Sequence, residues 1–502
     1  MGATLEILRC GSLITRERMR LVGFALLAAF TLAFAILAAT SHGPNDALGR
    51  PLGTDFSNVY AAGTYVLEGL PQAPFDPALQ YAREQVIFGT ATPFYGWHYP
   101  PFFLFVAALL AFMPYVPALI AWQGASIGLY LLAIRAILVA QAKSLGSSWP
   151  GSSPSKTGVN ALMSRPSTPS FTPAQRDVDG RDTRAFKQEP VEDIRAFTPV
   201  FDGLLRGRPD VFDGLLPAHD DVDGARPCSA IAATDPLWLV LALAFPAVFV
   251  NLGHGHNGLL TAALFGAALV VLDHRPLLAG LLFGLLAYKP QFGVLIPVVL
   301  VATWRWRTVA AAVGTVSALA IVTTFAFGLS VWDAFIASTH FTRIVVLESG
   351  QTGWHKIQSV FAWVRMWGGS VPLAYVMQTA VTVALAAALI WLWRLRVDFS
   401  LKAAALIIAA ILATPYSLDY DMTTLAPAIA FLAAHGLRYG FAPWEKSALA
   451  ALWLAPLAAR GITGTTLLPI GVPTMAAVLG LVLRRAATTD GLPRWWRSGS
   501  IR

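Results

Sequence analysis

Apolar runs of near membrane-crossing length recur along most of this chain, and they constrain it more than any other feature. They cover residues 21–40, 101–113, 118–140, 236–250, 259–272, 277–303, 309–329, 371–393, 401–414, 422–435, 448–459 and 467–483. A hydrocarbon core about 30 Å thick takes roughly 20 apolar residues per helix. In lipid every backbone polar group must be paired, which a helix does within its own segment. The expectation is an all-α polytopic membrane protein with about twelve transmembrane helices, counting 277–303 as one helix kinked at Pro290. Charged residues make up only 13% of the 502 residues, against roughly 25% in a soluble domain.

The net charge of +8 does not point to nucleic acid. The basic residues stand in short clusters beside apolar runs: Arg9, Arg16, Arg18 and Arg20 before the first, Arg305 and Arg307, Arg394 and Arg396, and Arg484 and Arg485 near the end. This is the positive-inside pattern. It expects both termini in the cytoplasm, an even number of crossings, and a lipid bilayer rather than nucleic acid as partner. The first run is about 20 residues long and many more follow, so it reads as an uncleaved helix and not a signal peptide, whose apolar region is about 7–15 residues. Cys10 and Cys228 imply no disulfide framework.

Three parts follow from this layout. Residues 1–140 form an N-terminal membrane part whose polar stretch 41–100 has few basic residues and reads as a first external loop. Within it, 56–69 and 76–89 carry apolar and charged residues at helical spacing, with Pro71, Pro74 and Pro77 between them, and read as two interfacial amphipathic helices. Residues 141–235 are rich in Ser, Pro, Asp and Arg and repeat Val-Phe-Asp-Gly-Leu-Leu at 200–205 and 211–216. They read as a low-complexity, disordered insertion. Residues 236–502 supply the rest of the bundle and a second external loop at 330–370.

The chemistry gathers in the polar stretches. Asp55 opens the first amphipathic segment, where it can cap a helix or serve as a general base at the lip of an external cavity. His98 and Tyr99, in Trp97-His98-Tyr99-Pro100-Pro101, fit an aromatic belt or a site facing sugar and phosphate. Lys289 lies deep in an apolar run, where an unpaired charge costs about 2.5–3.5 kcal/mol or more. It needs a partner, a water-filled cavity or an anion such as a lipid phosphate, unless it snorkels to a helix end. Gly253-His254-Gly255-His256-Asn257 sets two imidazoles at i and i+2 without the three or four ligands of a zinc site, so no metal is expected, and His256 and Asn257 read as substrate or capping groups. His355 and Lys356 can stabilise a departing phosphate or belong to a solvated loop. Asp419 and Asp421 stand at a helix end, where they can orient the same cavity.

The ordered set Asp55-Phe56…Tyr60, Gly69…Pro74-Phe75-Asp76, Tyr99-Pro100-Pro101, Gly255-His256-Asn257, Ala287-Tyr288-Lys289-Pro290 and Pro415-Tyr416-Ser417…Tyr420-Asp421 resembles glycosyltransferase family 87 over nearly all of the chain outside 141–235. These GT-C-type membrane enzymes include polyprenyl-phosphate-mannose-dependent mannosyltransferases. The resemblance implies a catalytic aspartate in the first external loop at Asp55, with Tyr60 in its motif. It also implies a polyprenyl-phosphate sugar donor, a lipid or glycan acceptor, no metal or cofactor, and inversion at the anomeric carbon. The chain departs from the family pattern at Gly255-His256, where Gly-Gln is usual, and in the long insertion. Transport or flipping of a lipid-linked sugar is the alternative; the broken-helix motif Lys289-Pro290 would suit it, but no matching half-repeat is present.

Overall fold

A computed structural model describes residues 2–143 and 235–489. Most of the expected insertion, with both of its repeats, lies outside them. The described residues are mostly helical and form no strand, and short 3-10 turns sit at the sites of chemistry. Among the described residues four helices are long and apolar enough to cross a membrane: α2 (Arg16–Thr40), α6 (Tyr115–Lys143), α12 (Trp306–Phe327) and α15 (Val371–Arg394). A fifth candidate is the pair α7 (Leu237–Leu243) and α8 (Pro246–His254), bent by 46°. The bend falls at Pro246, whose missing N–H and ring break a helix. Leu21, Phe24 and Leu32 on α2 and Phe325 on α12 are exposed, the apolar surface that lipid covers.

Most of the remaining apolar runs fold as shorter helices. The run 277–303, expected as one kinked helix, is α10 (Pro276–Leu285) and α11 (Leu295–Ala302), with two 3-10 turns between them. Lys289 is extended there (φ −127°, ψ 72°), because the residue before a proline is pushed out of the helical region. α16 (Phe399–Leu412) is almost wholly buried and forms the axis of the main core, with α11, α15, α17 (Leu425–Tyr439) and α19 (Gly471–Thr489) around it, and α9 (Gly258–Val271) joins that core against α6 and α17. A helix apolar on all sides belongs in such a place.

Both helices expected in the first external loop are present, α3 (Thr54–Leu67) and α4 (Pro77–Phe88). Asp76 caps α4, accepting from the backbone N–H groups of Ala78 and Leu79 at 2.8 and 3.1 Å. α3 is packed into the fold along one side. It buries Phe56, Val59, Ala61, Ala62 and Tyr65 against α5 (Leu104–Ala111), because its small residues let the two backbones approach closely. Aromatic side chains complete this second core; Trp97, Tyr99, Phe103 and Tyr288 pack ring on ring.

Candidate active site

The first turn of α3 and the last turn of α8 meet through two glycines in the left-handed region, Gly53 (φ 63°) and Gly255 (φ 65°). A Cβ on Gly255 would stand 2.6 Å from Phe56 Cβ and 3.2 Å from Gly53 Cα. Neither position has room or a favourable conformation for a side chain. The contact sets Asp55 beside the two histidines that flank Gly255. Gly53, not Asp55, is the cap of α3, which leaves the Asp55 carboxylate in the first turn, facing a cavity of about 550 Å³.

Of the residues singled out in the sequence, Asp55, His98, Tyr99, His256, Lys289, Lys356 and Asp421 line this cavity. Four others do not. The Tyr60 hydroxyl donates to the Met113 carbonyl at 2.9 Å within the aromatic core. Asn257 is buried as the cap of α9, and its carbonyl accepts from Thr261 Oγ1 at 3.1 Å and Tyr288 Oη at 3.3 Å. His355 sits in the 3-10 turn Trp354–Lys356, just outside the lining. Asp419 is buried behind Arg460, which is itself a lining residue.

Two ion-pair systems flank Asp55. The Lys289 ammonium donates to Asp421 Oδ1 at 2.6 Å with both side chains buried, and lies 3.5 Å from His256 Nε2. Asp421 Oδ2 also accepts the Leu418 N–H at 3.0 Å. The partner Lys289 requires is thus a carboxylate 132 residues further along the chain. In the second system Arg460 grips Asp419 with Nε and Nη2 at 2.7 and 3.0 Å and reaches His254 Nε2 at 3.2 Å. His254 Nδ1 is 2.7 Å from Thr54 Oγ1 and 3.9 Å from Asp55 Oδ1. Lys356 differs from these cations. Among the described residues it makes no ion pair or side-chain hydrogen bond and faces the cavity.

Burial pushes the Asp55 carboxyl above its ordinary range, opposed by His254, by the Tyr420 hydroxyl and by Lys289. A carboxylate so raised is a better proton acceptor near neutral pH. Burial holds the His98 imidazole down at about 4, so the ring is neutral at physiological pH. Its Nδ1 pairs with Thr342 Oγ1 at 2.9 Å.

Sequence reasoning missed Arg460 and Glu84, and named Tyr420 only as part of a motif. Arg460 directly follows an apolar run ending at Ala459, and a cation set within an otherwise apolar helix is the only signal that could have marked it, with nothing in the sequence to name Asp419 as its partner. Glu84 lies on the inward face of α4 and is fully buried. Its oxygens accept the N–H groups of Tyr95 and Gly96 at 3.0 and 3.2 Å and Gln80 Nε2 at 3.2 Å. These bonds hold the 93–98 strap, whose Pro93, Phe94, Tyr95 and His98 line the cavity. Burial raises the Glu84 carboxyl from 4.5 to about 7. The folded state therefore binds this proton more tightly than the unfolded chain. Stability from this group is complete below about pH 4.5 and is lost as pH rises to about 7, a change of about 3 kcal/mol. Melting temperature measured against pH should show that fall, and Glu84→Gln should flatten it.

A family model described as glycosyltransferase family 87 matches residues 97–167 and 219–415, more than half of the chain. The chain belongs to glycosyltransferase family 87. No curated protein and no solved structure matches it. As a family 87 member it is a membrane glycosyltransferase, acting on a sugar donor and an acceptor. The matched segments hold His98, Tyr99, His256, Lys289 and Lys356 of the cavity. Asp55, Asp421 and Arg460 lie outside the matched segments and complete the lining from flanking elements.

Proposed function

We propose that this glycosyltransferase moves a mannose-like hexose from a polyprenyl-phosphate sugar to a hydroxyl of a lipid or glycan acceptor. The reaction takes place on the outer side of a bacterial plasma membrane and inverts the anomeric carbon. The observation that carries this reading is the pairing, in one cavity, of a raised carboxylate at Asp55 with an ammonium at Lys356 that has no partner among the described residues. Asp55 takes the proton of the acceptor hydroxyl as that oxygen attacks the anomeric carbon. The bond from that carbon to the phosphate oxygen breaks as the new one forms, and its electron pair leaves with the polyprenyl phosphate. Lys356 meets the charge that develops there. Lys289 is already neutralised by Asp421 and His355 lies beyond the lining, so of the three cations singled out in the sequence Lys356 is the one we assign to the phosphate. No metal or cofactor takes part. His98, Tyr99 and His256 bind substrate hydroxyls.

The topology that fits this chemistry has twelve crossings, with the arms on either side of Lys289 taken as one, both termini cytoplasmic, and the 41–100 and 330–370 loops outside. The test is a mass-spectrometric comparison of membrane glycolipids from cells with and without the protein. A hexose missing from one lipid or glycan class is expected; identical profiles would overturn the reading.

A further inference from the structure

The network Asp419–Arg460–His254 lies beside Asp55 and has no part in the transfer step above. Its chemistry fixes the state of the imidazole. A guanidinium has N–H donors and no acceptor, so the Arg460 contact at 3.2 Å requires a lone pair on His254 Nε2. The ring proton is then on Nδ1, the nitrogen 2.7 Å from Thr54 Oγ1 and 3.9 Å from Asp55 Oδ1. The imidazole is held at both nitrogens and shows an N–H, not a lone pair, to the turn that carries Asp55. Arg460 is fixed in turn. Asp419, 2% exposed, accepts from it twice and also receives the Tyr420 N–H at 3.0 Å.

We infer that Arg460, braced by Asp419, is a positioning residue for the Asp55 carboxylate, acting through the His254 tautomer. Without the guanidinium, Nε2 is unpaired and the proton can move to it. Nδ1 then turns a lone pair toward Thr54 and the carboxylate, and the carboxylate loses the N–H dipole 3.9 Å from its Oδ1. This inference rests on the reading of Asp55 as the base. It makes Asp419 a brace and not a substrate contact.

The experiment uses full-length variants in membranes of cells lacking the native copy. Polyprenyl phosphate mannose labelled in the sugar is the donor, and the membrane's own acceptors receive it. Arg460→Ala should lower kcat roughly 10- to 100-fold, the scale of a misplaced catalytic group, with the donor KM near the wild-type value. Added guanidinium ion should restore part of kcat, which it would not do for a variant that had only lost stability. Asp419→Asn should show the same split, and it carries the test if the alanine variant does not accumulate. A raised donor KM with kcat retained would mean that Arg460 binds the phosphate, and would overturn the inference, as would an unchanged kcat. Asp55→Asn in the same assay separates the two ideas. If it is active, the reading of Asp55 fails; if it is inactive while Arg460→Ala is unimpaired, only the inference fails.

Discussion

Lys289→Ala is expected to leave little folded protein. The change strips the partner from Asp421, whose carboxylate is 2% exposed and receives the ammonium at 2.6 Å. Removing one half of a buried ion pair costs about 3–5 kcal/mol, because an uncompensated charge stays behind. That is a large share of a typical total stability of about 5–15 kcal/mol. The pair also ties the extended break between α10 and α11 to the turn at Asp419–Thr424, so its loss frees two elements that line the cavity. Asp421→Ala should do equal harm by leaving the ammonium unpaired. The double replacement Lys289→Met with Asp421→Leu should recover most of the lost stability, since a well-packed apolar pair of similar volume is often neutral or better. Yield and melting temperature in detergent decide this. If both single variants melt like the wild type, the pair is not holding the two elements together.

Asp55→Asn is expected to lower turnover by about 10²–10⁴-fold, the usual contribution of a positioned general base. The amide keeps the size of the side chain and cannot take up the acceptor proton. Folding should survive, because Gly53 caps α3 and the Asp55 carboxylate has no capping role. The rate–pH profile of the wild type should carry the same signature. Burial raises this carboxyl, so activity should fall on the acid side at a pH above the ordinary carboxylate range.

Much of this molecule was legible in the sequence, and the part that was not has a common cause. Apolar runs reported the helices well, because lipid and a dry core reward the same residues. A proline reported the break at Pro290, although the consequence was two arms and not one bent helix, whereas Pro246 bends a run that hydropathy reads as one. Asp55 and Lys289 stood out because charge is rare in such surroundings. Their partners did not. Asp421 meets Lys289 across 132 positions, and Arg460 reaches Asp419 and His254 from a helix whose pattern speaks only of burial. Glu84 looked like the polar side of an amphipathic helix because local spacing cannot show which side the rest of the fold covers. The glycines that bring Asp55 to His254 act through backbone shape, which leaves no trace in hydropathy. Tyr60 sits one turn and a half beyond Asp55 along α3, and its hydroxyl turns into the aromatic core, a direction that only packing against Met113 and Tyr115 determines.

The central claim, that Asp55 is the base of a sugar transfer from a polyprenyl phosphate donor, is tested most directly by reconstituting the wild-type chain and Asp55→Asn in liposomes with labelled polyprenyl phosphate mannose and acceptor lipid extract. The wild type should place label on an acceptor, and the variant should bind donor comparably while transferring it at least 10²-fold more slowly. Transfer by Asp55→Asn at a near wild-type rate would contradict the account.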